Sequence, residues 1–219
     1  MTALIFFDIN GTVIKRDSRT DIPYSKAIDI FLKIENGMDG VNTSARSDKD
    51  VFIEVLGKVN EQFTNELWNG FMTEYTKQLE AFKATDVWRA NVDAVSFIQK
   101  LSNTNHKLSM ITGELKIGAE YKLEKIGVWK HFQTGGFGED GLQRFEIADT
   151  AFEKANTLYG TDYDEIYVIG DTLLDIKTAR HLGAKIISIT TGSNTREELA
   201  ELKPDMIIDR FEEIEGLFL

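Results

Sequence analysis

Short apolar runs of strand length recur along the chain: Leu4–Phe7, Leu108–Ile111, Ile166–Ile169, Ile186–Ile189 and Met206–Ile208. Nearly every position in each run is apolar, the pattern of strands covered on both faces rather than on one. From the second run onward they alternate with apolar positions at helical spacing. Ala94, Val95, Ile98 and Leu101 precede the second run, and Ile176, Ala179 and Leu182 follow the third. Such a strand–helix repeat predicts an α/β fold, a mostly parallel sheet with helices on both sides. Gly183 stands where the helix after the third run should stop, and Thr195 with Glu198 has the capping-box spacing that opens another.

Between Asp8 and Leu108 this rhythm breaks. No strand pattern occurs there; instead Tyr24, Ala27, Ile28 and Phe31 form a helical stripe, Val51, Phe52, Val55, Leu56 and Val59 a second, and Leu67, Phe71, Tyr75, Leu79 and Phe82 a third. The stripes read as packing between helices. They predict a helical insert over 15–84, seated above a core built from 1–14 and 85–219. No internal repeat or low-complexity segment is present, and Pro23 and Pro204 are the two prolines.

Charge and composition narrow the classes of function. The chain has 25 Lys and Arg against 36 Asp and Glu, a formal net charge of −11. That sign repels a phosphate backbone or an anionic bilayer, so neither nucleic acid nor membrane is an expected partner. With no cysteine, disulfides, thiolate metal sites and thiol nucleophiles are excluded, and a reducing cytoplasm is the expected location. No apolar stretch is long enough to span a bilayer, and the first run lacks a basic leader.

In an open parallel sheet, reactive groups belong at the carboxyl ends of strands, near the point where strand order reverses. Three strand ends here carry such groups. The first run leads into Asp8-Ile9-Asn10-Gly11-Thr12, the second into Thr112-Gly113 and the third into Gly170-Asp171-Thr172-Leu173-Leu174-Asp175. If these strands are neighbours, Asp8, Thr112 and Asp171 converge. Two carboxylates in one crevice repel unless a cation sits between them, and oxygen ligands suit Mg²⁺. A bound Mg²⁺ in turn points to an anionic substrate, most simply a phosphate.

In order, FFDINGT, SMITGE and VIGDTLLD resemble the motifs of the haloacid dehalogenase-like hydrolases, mostly magnesium-dependent phosphatases, over essentially the whole chain. The insert is similar to the α-helical cap of the phosphoglycolate phosphatase-like and β-phosphoglucomutase-like branch. The resemblance implies a Rossmann-like core under a mobile lid. It also implies a nucleophile at Asp8 that forms an aspartyl phosphate, and a phosphoryl grip by the backbone N–H groups of Gly11 and Thr12 with Thr112 and Gly113. Asp171 would share Mg²⁺ with Asp8 and the main-chain carbonyl of Asn10, while Asp175 would hold a metal-bound water or orient the site. The implied substrate is a small phosphorylated metabolite, and the chain a monomer or homodimer.

The balancing cation is expected at Arg144, in a loop after a Gly-rich stretch, rather than at Lys154, which lies on a helical pattern beside Glu153. Arg46, in the turn Ser44-Ala45-Arg46-Ser47-Asp48, is the candidate for a distal anion on the substrate. Its ordinary alternative is a solvent-facing Arg at a helix start. The departure from the family pattern is Asn10, where the phosphatases carry a second Asp that protonates the leaving oxygen and activates water; an amide does neither. Four readings stay open: a phosphatase for leaving groups that need little protonation, a poor catalyst, a phospho-ligand binder, or a chain altered to trap substrate. Dehalogenases of the family carry Tyr there and phosphonatases Ala. The retained Asp171 and Asp175 argue against a metal-free dehalogenase, and the Schiff-base Lys of a phosphonatase could be Lys33, Lys49 or Lys58 only by guesswork.

Overall fold

The five apolar runs form β1 (Ala3–Phe7), β2 (Lys107–Met110), β3 (Glu165–Gly170), β4 (Lys185–Ile189) and β5 (Met206–Ile208) in a computed structural model that describes residues 2–43 and 46–219. All neighbours pair in parallel, in the order β2-β1-β3-β4-β5. The register sets Phe7 beside both Met110 and Ile169, so the strands end level with one another. Strand order reverses around β1: β2 lies to one side of it, and β3 crosses to the other. That reversal places the crevice at the carboxyl ends of β1 and β3.

Nine α-helices occur among the described residues: α1 (Ile22–Leu32), α2 (Asp48–Lys58), α3 (Asn65–Phe82), α4 (Ala94–Leu101), α5 (Lys116–Lys125), α6 (Arg144–Tyr159), α7 (Leu173–His181), α8 (Arg196–Glu201) and α9 (Glu215–Phe218). Because side chains alternate along a strand, β1 feeds two cores. Ile5 and Phe7 pack with Phe97, Leu123 and Phe211 on one face, whereas Leu4 and Phe6 pack with Ile147, Ala151 and Ile176 on the other. Each such fully buried side chain is worth roughly 1.5–3 kcal/mol, which explains why the first strand needs no polar face. Gly183 adopts φ 65° just past α7, and Thr195 caps α8 with Glu198, both where the sequence pattern puts them.

The three stripes become α1, α2 and α3, which share a separate apolar cluster centred on Phe52, Phe71 and Tyr75. Rings stack through it, Phe52 on Phe71 at 4.5 Å and Phe71 on Tyr75 at 5.8 Å between centroids. The same cluster takes in Val87, Trp88 and Leu115, so its packing reaches past residue 84 onto the β2–α5 connection. No helix among the described residues is long and apolar enough to cross a membrane.

Candidate active site

Asp8 follows β1 directly and is 8% exposed. Its backbone N–H donates to Ile169 O on β3, which pins it to the strand ends. The chain then turns back on itself: Gly11 N–H donates to Ile14 O and Thr12 N–H to Ile9 O. Gly11 has φ 97°, and a Cβ there would lie 2.5 Å from Asp171 Oδ2, so the turn demands glycine on both counts. Asn91 clamps the turn from outside, its Nδ2 donating to the carbonyls of Gly11 (2.8 Å) and Thr12 (2.7 Å).

Asp171 follows β3 and is fully buried. It accepts from Thr12 Oγ1 at 3.0 Å and from Ser193 N–H at 2.7 Å. Asp175 lies in the first turn of α7, where it completes a capping box: one oxygen accepts from Thr172 N–H and Oγ1, the other from Arg144 at 2.6 Å. Arg144 also donates to Asp8 Oδ1 at 2.8 Å. One carboxylate oxygen from each of Asp8, Asp171 and Asp175 falls within 4.8 Å of the others.

Charge in this cluster does not balance. Three carboxylates face one guanidinium, in a place where desolvation makes uncompensated charge expensive. Burial, then Asp175, push the Asp8 carboxyl well above the usual carboxylate range, and Arg144 pulls it only partway back. Burial and Asp175 likewise raise Asp171, to about 6. For Arg144, burial opposes the charge, but Asp175 and Asp8 outweigh it and hold the guanidinium protonated. A hard divalent cation fits this donor set, which is all oxygen and short of positive charge.

A cavity of about 240 Å³ opens above Asp8. Asn10, Thr112, Gly113 and Glu114 line it from the sheet side, and Tyr24, Arg46, Asp48 and Tyr75 from the helical side. Asp48 joins the two sides: its N–H donates to Gly113 O at 2.8 Å, and its carboxylate accepts from Leu115 N–H at 2.9 Å. Thr112 Oγ1 accepts from Glu114 N–H, which leaves its own proton to donate.

Several expectations are revised. The N–H groups of Gly11 and Thr12 are taken by the turn itself, so they are not open phosphate donors. The N–H groups of Ile9, Asn10 and Gly113 have no acceptor among the described residues and are among the backbone donors left at these strand ends. Arg144 is not in a loop but opens α6, because Glu146 accepts from the Leu142 and Gln143 N–H groups and starts the helix there. Lys154 points elsewhere, to Asp140 at 2.7 Å and Gly135 O at 3.3 Å. Arg46 lines the cavity, yet its guanidinium is tied to Asp50 (2.7 Å), Glu54 and Asn42 O, which weakens its case as an anion contact. Ser44 and Ala45 of that turn lie outside the described residues.

Sequence reasoning missed Glu114 and Lys122. They form a buried ion pair at 2.7 Å, with the Lys122 and Glu114 side chains 2% and 5% exposed, and both reach the Asn10 side chain. A signal was present. Lys122 falls between Ala119 and Leu123 on the apolar face of α5, where an unpaired lysine would not be tolerated.

A sequence model of haloacid dehalogenase-like hydrolases matches residues 5–180. The chain therefore belongs to that family and is a hydrolase. Among its relatives are "Probable phosphatase IndB" of Dickeya dadantii (strain 3937), 22% identical over 218 residues, 99% of this chain and 93% of that one. The phosphoglycolate phosphatase of Agrobacterium fabrum (strain C58 / ATCC 33970) is 28% identical over 148 residues, 66% of this chain and 59% of that one. In fold the chain resembles a crystal structure titled "a predicted phosphoglycolate phosphatase" from Haemophilus somnus 129PT, with a TM-score of 0.69, 19% identity and coverage of 100% and 98% of the two chains.

Proposed function

We propose that the protein is a cytoplasmic Mg²⁺-dependent phosphatase of a small phosphorylated metabolite, working through an aspartyl phosphate on Asp8. The observation that carries this reading is the charge-deficient cluster of Asp8, Asp171, Asp175 and Arg144 at the strand-order reversal. Its relatives' names as phosphatases agree with it. Asp8, Asp171 and the main-chain carbonyl of Asn10 would hold the ion, with Asp175 orienting the site; bound there, Mg²⁺ would neutralise the facing carboxylates and the incoming phosphate. Arg144 holds one Asp8 oxygen, and the other has no hydrogen bond among the described residues. That oxygen attacks phosphorus, the bond to the leaving oxygen breaks with its electron pair, and water then hydrolyses the acyl phosphate. Thr112 and the N–H groups of Ile9, Asn10 and Gly113 grip the transferring phosphoryl oxygens.

Residues 15–84 act in this reading as a cap whose closure excludes water. The test is release of phosphate from aryl, sugar and glycolate phosphates with and without Mg²⁺. Chelator-sensitive release is expected. A second reading, that the chain binds phospho-ligands with little turnover, draws on Asn10, and would be favoured if no substrate in this set, the activated aryl ester included, gave Mg²⁺-dependent release.

A further inference from the structure

Asn10 is held at both ends of its carboxamide. Lys122 Nζ donates to Oδ1 at 3.2 Å, and Nδ2 donates to Glu114 Oε2 at 3.1 Å. An ammonium only donates and a carboxylate only accepts, so these two neighbours permit one orientation of the amide and forbid the flipped one. The clamp is built along one face of α5. Glu114 stands just ahead of the helix, and Lys122, two turns in, reaches back toward the helix N-terminus, the direction in which helical side chains lean. Gly118 lies between them at helical spacing. A Cβ there would come within 2.6 Å of Glu114 Oε1 and 2.4 Å of Tyr75 Oη, so the absence of a side chain leaves room for the clamp.

Glu114 takes one of the two Nδ2 hydrogens. The other has no acceptor among the described residues, and Asn10 lines the cavity. We propose that Glu114 and Lys122 are positioning residues that fix the Asn10 carboxamide with its second N–H presented to the leaving-group oxygen, so that positions 10 and 114 work as a matched pair of one amide and one carboxylate. The site is thus built around an amide and is not a damaged acid site. An N–H donor stabilises negative charge on the departing oxygen but transfers no proton to it. The P–O bond breaks with its electron pair going to an oxygen that leaves as an anion, which favours acyl and aryl phosphates over alkyl esters. The identity of the acceptor rests on the phosphatase reading; the pairing does not.

The pairing predicts that Asn10→Asp alone sets a carboxylate against Glu114, whereas Asn10→Asp with Glu114→Gln rebuilds the pair with its roles exchanged. Four proteins are compared, the wild type, N10D, E114Q and the double variant. Thermal unfolding is measured for each, together with kcat and KM on p-nitrophenyl phosphate and glycerol phosphate in Mg²⁺. N10D should lower Tm and be no faster than wild type on glycerol phosphate. Adding E114Q should recover Tm and raise kcat at least about tenfold over N10D, with a smaller change in KM. The proposal is overturned if N10D by itself speeds glycerol phosphate as much as the double variant does, or if the Tm changes of the single variants simply add. A wild type inactive on both esters would remove the phosphatase reading, while the Tm cycle would still decide the pairing.

Discussion

Two acidic clusters flank the cavity and differ in how their charge is met. At the strand ends, Asp8, Asp171 and Asp175 share a single guanidinium, Arg144. On the β2–α5 side, the Glu114 carboxylate already has a cation, Lys122 at 2.7 Å, whose charge Glu114 and then Asp21, 3.8 Å away, sustain against burial. The same ingredients, buried carboxylates and a cation, therefore give different chemistry. The strand-end cluster is short of positive charge and calls for a further cation, whereas Glu114 has its cation within the protein and serves to orient its neighbours.

The widest separation between the clusters should come from the metal. Excess chelator should abolish phosphate release and Mg²⁺ should restore it, and Asp8→Ala should leave no phosphorylated protein. Mg²⁺ should also raise Tm in the wild type, by preferential binding to the folded state, but not in Asp171→Asn. Glu114→Gln should retain that Mg²⁺-dependent rise. Hydrolysis undiminished in chelator would erase the contrast between the two clusters.

Next in size is the loss of a buried partner. Lys122→Met strands Glu114 in the interior and should cost about 3–5 kcal/mol of stability, a fall in Tm of roughly 10 °C for a chain of this length. Lys122→Met with Glu114→Gln should recover most of that loss, because the Glu114 charge is removed together with its partner. A loss that persists in the double variant would mean that Lys122 acts through packing alone.

Arg144→Ala should lower kcat by about 10²–10³-fold, the usual effect of removing one donor at a reacting centre. Lys154→Ala, at a half-exposed pair with Asp140, should change it little, since exposed ion pairs contribute about 0–1 kcal/mol. Equal losses at the two positions would leave the choice of Arg144 unsupported.

The strand-end cluster was legible in the sequence because each of its members follows an apolar run or opens a helix, and local patterns carry that information. Asp8, Asp171 and Asp175 sit at such ends; that β1 lies beside β3, a condition at the level of the sequence, is a fact of the sheet order. The Glu114–Lys122 clamp was not legible. It depends on how α5 rotates beneath the cavity and on α3 approaching it through Tyr75, both tertiary facts. The turn at Gly11 misled for a local reason: the resemblance implied open N–H donors at Gly11 and Thr12, but a turn this tight uses its own, and the open ones lie one and two residues earlier. Arg46 misled in the opposite way, since Asp50 and Glu54 stand one and two turns along and take its guanidinium.

Gly118 offers the finest division between the clusters. Alanine normally stabilises a helix interior by about 1 kcal/mol relative to glycine, so on propensity alone Gly118→Ala should raise Tm slightly. Here the added Cβ would lie 2.4 Å from the Tyr75 hydroxyl and 2.6 Å from the Glu114 carboxylate, both buried and packed, so both must shift. Stability should consequently fall by about 1–3 kcal/mol, the usual cost of overpacking a packed site. The displaced Glu114 would nevertheless release the Asn10 amide, and kcat should fall several-fold while Mg²⁺ affinity, set at Asp8 and Asp171, holds. Gly57, also within a helix and with nothing within 4 Å of a built Cβ, supplies the control: Gly57→Ala should add helix stability and leave kcat unchanged. If Gly118→Ala behaves like Gly57→Ala in both Tm and kcat, the position of Glu114 has no bearing on turnover, and the Glu114–Lys122 pair is structural only.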